Sequence, residues 1–183
     1  MEEHGYAVVA YLPGKLGDFV DSLRKRLNPS FADWLAHVTV LPSRSLRASP
    51  EETLERIRER CALVEPFVAT IQGVSTFWPV NGVVYLSFSL GFQHLVQLHD
   101  TLNVGGLAQE EAYSYLPHVT VAQELDEAGT QAVLADVSRE WSRFSGDVSF
   151  RVESLRLVRQ APENRWVDLA PIPLGSFLAP SRK

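Results

Sequence analysis

The tetrapeptide His-Val-Thr-Val occurs twice in this chain, at residues 37–40 and again at 118–121. In an extended strand residues i and i+2 share a face, so His37 stands beside Thr39 and His118 beside Thr120, each an imidazole next to a hydroxyl. The valines face the other way. Val38, Val40, Val119 and Val121 are therefore expected to anchor the two strands in apolar packing while the polar pairs face solvent or a ligand. Two imidazoles directed at one point suit acid–base chemistry near neutral pH, because one can be neutral and accept a proton while the other is charged and donates one. Phosphodiester cleavage needs both jobs: the attacking water or hydroxyl loses a proton as the leaving ribose oxygen gains one. Each threonine hydroxyl can donate to a non-bridging phosphate oxygen. This chemistry requires neither a metal nor an organic cofactor.

One copy of the motif would read as an ordinary strand, since Val and Thr favour sheets. Its repetition in matching surroundings makes the difference. A metal site built on the two histidines would lack carboxylate or thiolate partners at ligand spacing, and the lone Cys61 supplies no thiolate cluster. His94 and His99 lie five apart on a predicted helix and do not share a face, and His4 is next to the terminus, so packing or surface roles are expected for all three. Trp78 and Tyr115 flank turns near the expected cleft. They can stack on a base or pack in the core, and the sequence leaves both open.

The elements that must position these residues alternate along the chain. Tyr6 to Leu12 reads as a buried strand stopped by Pro13-Gly14, and Phe19, Val20, Leu23 and Leu27 then recur at helical spacing between Leu16 and Asn28. A short strand is predicted at Ala36 to Leu41. Ser49-Pro50-Glu51-Glu52 is a capping box opening a helix that carries Leu54, Ile57, Cys61 and Val64. Phe67 to Phe77 and Val83 to Leu90 read as a hairpin through Asn81-Gly82. A helix with Phe92, Leu95, Val96 and Leu102 follows, then a strand at His118 to Gln123. A last helix carries Val133, Leu134, Val137, Trp141 and Phe144. Strands at Val148 to Arg159 and Arg165 to Leu169 flank the turn Ala161-Pro162-Glu163-Asn164, and the end from Ala179 is expected to fray.

YAVVAYLPG, a helix and HVTV in the first half match VVYLSFSLG, a helix and HVTV in the second. The fold class expected is α+β: one bilobal domain over residues 1–183, with approximate repeats at 6–41 and 83–123 and a C-terminal hairpin at 148–170. Two pseudo-symmetric lobes would oppose antiparallel sheets across a central cleft, with helices outside. A length of 183 residues with 45% hydrophobic residues suits one globule. No apolar run is long enough to span a bilayer and Met1-Glu2-Glu3-His4 lacks a signal-peptide pattern, so no membrane partner and a cytoplasmic location are expected. Seventeen Lys and Arg against 22 Asp and Glu give a net charge of −5, which disfavours an extended duplex nucleic acid and favours a short ligand. The cations are mostly arginine, suited to bidentate grip on phosphate.

Two H-x-T-x motifs, one per half of an internally duplicated chain of this size, resemble the 2H phosphoesterase superfamily, in particular its bacterial 2′-5′ RNA ligase-like members. The resemblance also covers Leu116-Pro117-His118, VVYLSFSLG and the closing LRLVRQAPENRWVDLAPIPLG. It implies that His37 and His118 are the acid–base pair and Thr39 and Thr120 the phosphate contacts. The partner it implies is a nucleotide or RNA terminus carrying a 2′,3′-cyclic phosphate or a 2′-5′ linkage, handled by a monomer, with 2′-5′ ligation as the reverse reaction. By the same resemblance His118 is the base and His37 the acid. Many relatives carry an arginine soon after the second motif, where this chain has Gln123. Arg44, in the loop expected after the first motif, is the nearest cation that could replace it, and Gln123 keeps a hydrogen-bonding role. Two other readings stand beside this one: a non-catalytic module of the same fold that binds an RNA terminus or nucleotide, and a small esterase or metal-assisted hydrolase, whose metal-assisted form chelators would inhibit.

Overall fold

A computed structural model describes residues 5–162 and 165–175. His4, the turn residues Glu163 and Asn164 and the segment from 179 onward lie outside the described residues. In chain order the elements are β1 (Tyr6–Tyr11), α1 (Gly14–Leu27), β2 (His37–Arg44), α2 (Pro50–Cys61), β3 (Phe67–Thr76), β4 (Val84–Phe88), α3 (Phe92–Leu102), β5 (His118–Ala122), α4 (Glu127–Trp141), β6 (Ser149–Val152), β7 (Ser154–Ala161) and β8 (Arg165–Pro173). They build two four-stranded antiparallel sheets, ordered β2-β1-β7-β8 and β5-β4-β3-β6. Each sheet has its HVTV strand at one edge, next to the strand that precedes it by one helix. The units β1-α1-β2 and β4-α3-β5 therefore follow one plan, and β2 and β5 lie against one another where the sheets meet.

Local chemistry accounts for the repeat. Both connecting helices start at a glycine in the left-handed region, Gly14 at φ +53° and Gly91 at φ +81°. A Cβ on Gly91 would sit 2.6 Å from the Val68 carbonyl oxygen, so this turn excludes side chains for two reasons. Ser49 caps α2 by accepting the Glu52 N–H at 3.2 Å, with Pro50 in the first turn. The four motif valines are at most 1% exposed and belong to one core with Val20, Leu23, Ile57, Leu95 and Leu98. Each lobe's connecting helix crosses to its partner: α1 packs on β5 and α3 on β2.

Two expectations need correction. The strand predicted over Val148 to Arg159 is two strands in different sheets: β6 pairs with β3 and β7 with β1, so the C-terminal hairpin is β7–β8. The change of sheet coincides with a phase slip in the alternation, from buried Phe150 and Val152 to buried Leu155 and Leu157. The second strand also runs past Leu41 through Pro42 to Arg44, which an edge strand tolerates because proline's missing N–H costs no ladder bond there.

Candidate active site

His37 and His118 occupy the first residues of β2 and β5. Their rings make the same bond. Nδ1 of His37 lies 2.6 Å from the Leu35 carbonyl oxygen, and Nδ1 of His118 lies 2.8 Å from that of Leu116, in each case two residues back. A carbonyl only accepts, so each neutral ring carries its proton on Nδ1 and keeps the Nε2 lone pair for something else. Both rings, with Thr39 and Thr120, line one cavity of about 1150 Å³, large enough for a nucleotide. Among the described residues neither threonine hydroxyl has a protein partner.

The motif backbones are held from across the molecule. Arg24, on α1 and only 2% exposed, donates Nε–H (2.8 Å) and Nη2–H (2.6 Å) to the Thr120 carbonyl. Its Nη1 donates to the carbonyls of Trp34 (2.6 Å) and Leu35 (3.1 Å). Leu35 is also the acceptor for His37, so one guanidinium fixes the support of one imidazole and the strand that carries the other. In the opposite direction the Tyr115 hydroxyl donates to the Thr39 carbonyl at 2.7 Å, and His99 Nδ1 lies 2.8 Å from the Val40 carbonyl. The rings of Tyr115 and His99 stack, 4.0 Å apart and 4° from parallel. Asn28 and Gln123 complete the junction: the Gln123 N–H donates to Asn28 Oδ1 at 3.1 Å and Asn28 Nδ2 donates to the Gln123 carbonyl at 3.3 Å.

The residues expected around the motifs do not all reach the cavity. Gln123 lines the cavity, and Tyr115 does too, but one face of Tyr115 is covered by His99 and its hydroxyl is committed to β2. Arg44 is no phosphate contact. It is the last residue of β2 rather than a loop residue, it is buried, and its N–H groups go to Pro42 O, Asn103 Oδ1, Leu107 O and Glu111 Oε1. Trp78 does not line the cavity: it lies beyond β3 in a turn pinned by its own N–H on Thr76 Oγ1, and its neighbour Phe77 takes the place at the wall. Arg24 is the important omission. It stands four residues after Val20 and next to Leu23, and a cation on an apolar helical face is the signal that could have found it.

The electrostatics separate the two histidines. Burial lowers His37, the Arg24 guanidinium lowers it further and His118 adds in the same direction, to about 4 against a weaker opposing pull from the Leu35 carbonyl. His118 is lowered by burial, with the Leu116 carbonyl opposing, and no cation acts on it. At neutral pH both rings are uncharged. Arg24 thus disfavours positive charge on His37, and no such contribution acts on His118.

The surroundings of the rings differ as well. His118 is flanked by Phe77 (5.0 Å between centroids, 88°) and Tyr85 (5.3 Å, 62°), and Phe77 stacks on Tyr85 at 4.3 Å. His37 has a single aromatic neighbour among the described residues, Tyr11 at 6.5 Å, whose hydroxyl makes a short bond to Asp168. Beyond Tyr11 the cavity continues along the first sheet, where Tyr11 and Trp166 pack on the buried Ala7, Val9 and Val158.

The sequence and the fold have counterparts in known proteins. A Bacillus licheniformis protein named "Putative phosphoesterase" is 32% identical over 174 residues, covering 93% of this chain and 99% of its own. Escherichia coli LigT in apo form superposes with a TM-score of 0.66 at 19% identity, covering 94% of this chain and 99% of LigT. LigT complexed with 3′-AMP gives a TM-score of 0.65 at 17% identity over the same shares. Residues 12–164, most of the chain and both motifs, match the family profile of the 2′-5′ RNA ligase superfamily, and the chain belongs to that superfamily.

Proposed function

We propose that this chain is a phosphoesterase that opens 2′,3′-cyclic phosphates or cleaves 2′-5′ phosphodiester bonds of nucleotides or RNA ends, with no metal in the chemical step. The observation that carries the reading is the matched pair of Nδ1–carbonyl bonds, which leaves two Nε2 atoms available to one cavity. The phosphoesterase name of its Bacillus licheniformis relative and the 3′-AMP held by LigT support the coarser part of this reading, a phosphoester of a nucleotide.

In the hydrolytic direction His37 Nε2 takes a proton from water as the water oxygen bonds to phosphorus. The bond from phosphorus to one ribose oxygen breaks, and His118 gives its Nε2 proton to that oxygen. Thr39 and Thr120 donate to the non-bridging oxygens, where negative charge accumulates. This assignment reverses the one the family resemblance implies. Its basis is Arg24, which favours the neutral, proton-accepting form of His37. Ligation would run the same steps backwards with the roles exchanged.

The test incubates purified protein with adenosine 2′,3′-cyclic phosphate and with 2′-5′-linked ApA under excess EDTA, followed by identification of the products. Opening of either bond at undiminished rate in EDTA is expected. Tight binding without product would replace the enzyme by a binding module, and loss of turnover in EDTA would replace it by a metal-assisted hydrolase.

A further inference from the structure

The cavity holds more negative charge than a site for a polyanionic chain should. Among the described residues Arg24 is the one Lys or Arg in its lining, and that guanidinium is tied to three carbonyls behind the motif strands. Four carboxylates line it: Asp33, Glu110, Glu111 and Asp168. Glu111 is compensated by Arg44 at 3.0 Å, and Asp168 by the Tyr11 hydroxyl and by Arg156 at 4.0 Å. Asp33 and Glu110 are exposed and meet no cation among the described residues. The rest of the rim is uncharged: Leu35 59%, Val80 62%, Tyr113 68% and Leu116 38% exposed, interspersed with the polar Ser43, Asn81, Gln109 and Ser114.

Space is distributed as unevenly as charge. On the second sheet Phe77 lies over Tyr85 beside His118, whereas on the first sheet the cavity runs past Tyr11 and Trp166, which pack on the small, buried side chains of Ala7, Val9 and Val158. Trp166 and Trp34 meet edge to face at 5.8 Å and 84°. A flat aromatic ring fits against these indoles, which line the cavity on the side of the first sheet. A second and third phosphate would have to pass the uncompensated carboxylates.

Resting on the phosphoesterase reading above, we propose that the cavity accepts a phosphodiester bearing one negative charge and one flat aromatic group on the side of the first sheet, and selects against chains with further phosphates. The preferred class is then a cyclic mononucleotide or a comparable small aromatic phosphodiester, and an RNA end is the poorer ligand.

The test is equilibrium binding of adenosine 2′,3′-cyclic phosphate and of a pentanucleotide ending in a 2′,3′-cyclic phosphate to the His37→Ala variant, with turnover of both measured on the unaltered protein. At 50 mM NaCl the mononucleotide should bind at least about tenfold tighter, and the gap should narrow to about threefold at 300 mM as screening weakens the repulsion. Asp33→Asn combined with Glu110→Gln should tighten pentanucleotide binding about fourfold, roughly twofold per charge at ~10 Å in water, and the mononucleotide by less than twofold. Equal or tighter binding of the pentanucleotide, or an affinity for it that falls with salt as in counterion release, overturns the proposal. Binding preference without hydrolysis of either ligand supports charge selection and overturns the catalytic reading. Hydrolysis of both with the pentanucleotide preferred does the reverse.

Discussion

The two motif-bearing halves share a backbone plan and differ in what surrounds it. In each, a histidine opens an edge strand, donates Nδ1–H to the carbonyl two residues back, and is followed by a threonine whose own carbonyl accepts a bond from the opposite half. The donor to Thr39 is a neutral phenol, Tyr115, and the donor to Thr120 is the charged Arg24. On the neighbouring strand Tyr11 stands opposite His37, whereas in the second half Tyr85 stands opposite Thr120 and Ser87 opposite His118. The tyrosine is thus shifted by one strand period between the halves, and in the second half Phe77 stacks on it. Repetition supplies two like groups, but a proton transfer needs unlike ones. The unlikeness comes from residues outside the repeated tetrapeptide.

Removing the shared part has the largest effect. His37→Ala and His118→Ala should each lower turnover of a 2′,3′-cyclic nucleotide by about a thousandfold, with the double variant little worse than either single, because the two act as one proton-transfer unit. Thermal melts of the variants distinguish this from unfolding. Substantial activity in either single variant contradicts the paired mechanism.

Arg24→Met attacks the difference itself. It leaves buried carbonyls without donors and should cost about 3 kcal/mol of stability. It also removes the cation that holds His37 down, so His37 should titrate higher in an NMR pH series while His118 moves little. Equal movement of both rings would mean that Arg24 does not distinguish them. Arg24→Lys, which keeps the charge but loses the fork, should leave the His37 titration low and still lose much of the stability.

Legibility in the sequence followed the range of the interaction. The outward histidines and inward valines follow from strand periodicity and motif alone, as does the Ser49 cap, because each depends on neighbours in the chain. The change of sheet after Val152 left only a phase slip, which a continuous strand with a bulge would also produce. Arg44 shows the opposite limit. A cation just past a phosphate motif is locally plausible, but its fate was set by Glu111 and Asn103, far along the chain, whose proximity no local pattern encodes. Arg24 left a trace as a charge on a helix's apolar face, while Trp34, Trp166 and Phe77 left none that separated them from core aromatics.

Acid should also expose the difference through stability. His37 titrates near 6.5 in the unfolded chain and about 4 in the fold, so between these values the unfolded chain holds the extra proton. Its effect is to reduce stability as the pH falls from about 6.5 to 4, with nothing further lost below. Urea unfolding of the wild type and of His37→Gln at pH 7.5, 5.5 and 4.5 measures this directly. The wild type should lose more across the series, and parallel losses would show that His37 is not depressed.

The smallest effect is expected at Phe77, on the side of His118. Phe77→Leu removes a stacked ring from Tyr85 and an edge contact from His118, at a cost of about 1 kcal/mol. The second sheet's face becomes more open to water, which relieves part of the burial that lowers His118, so its titration should rise toward that of a free imidazole. His37, supported by Leu35 and Arg24 on the other side, should keep its value, and turnover should change by less than about threefold. Because both rings line one cavity, this variant is the most sensitive measure of how far their environments are separate. If His37 rises as much as His118, water admitted at one wall reaches both rings, and their unlikeness rests on Arg24 alone.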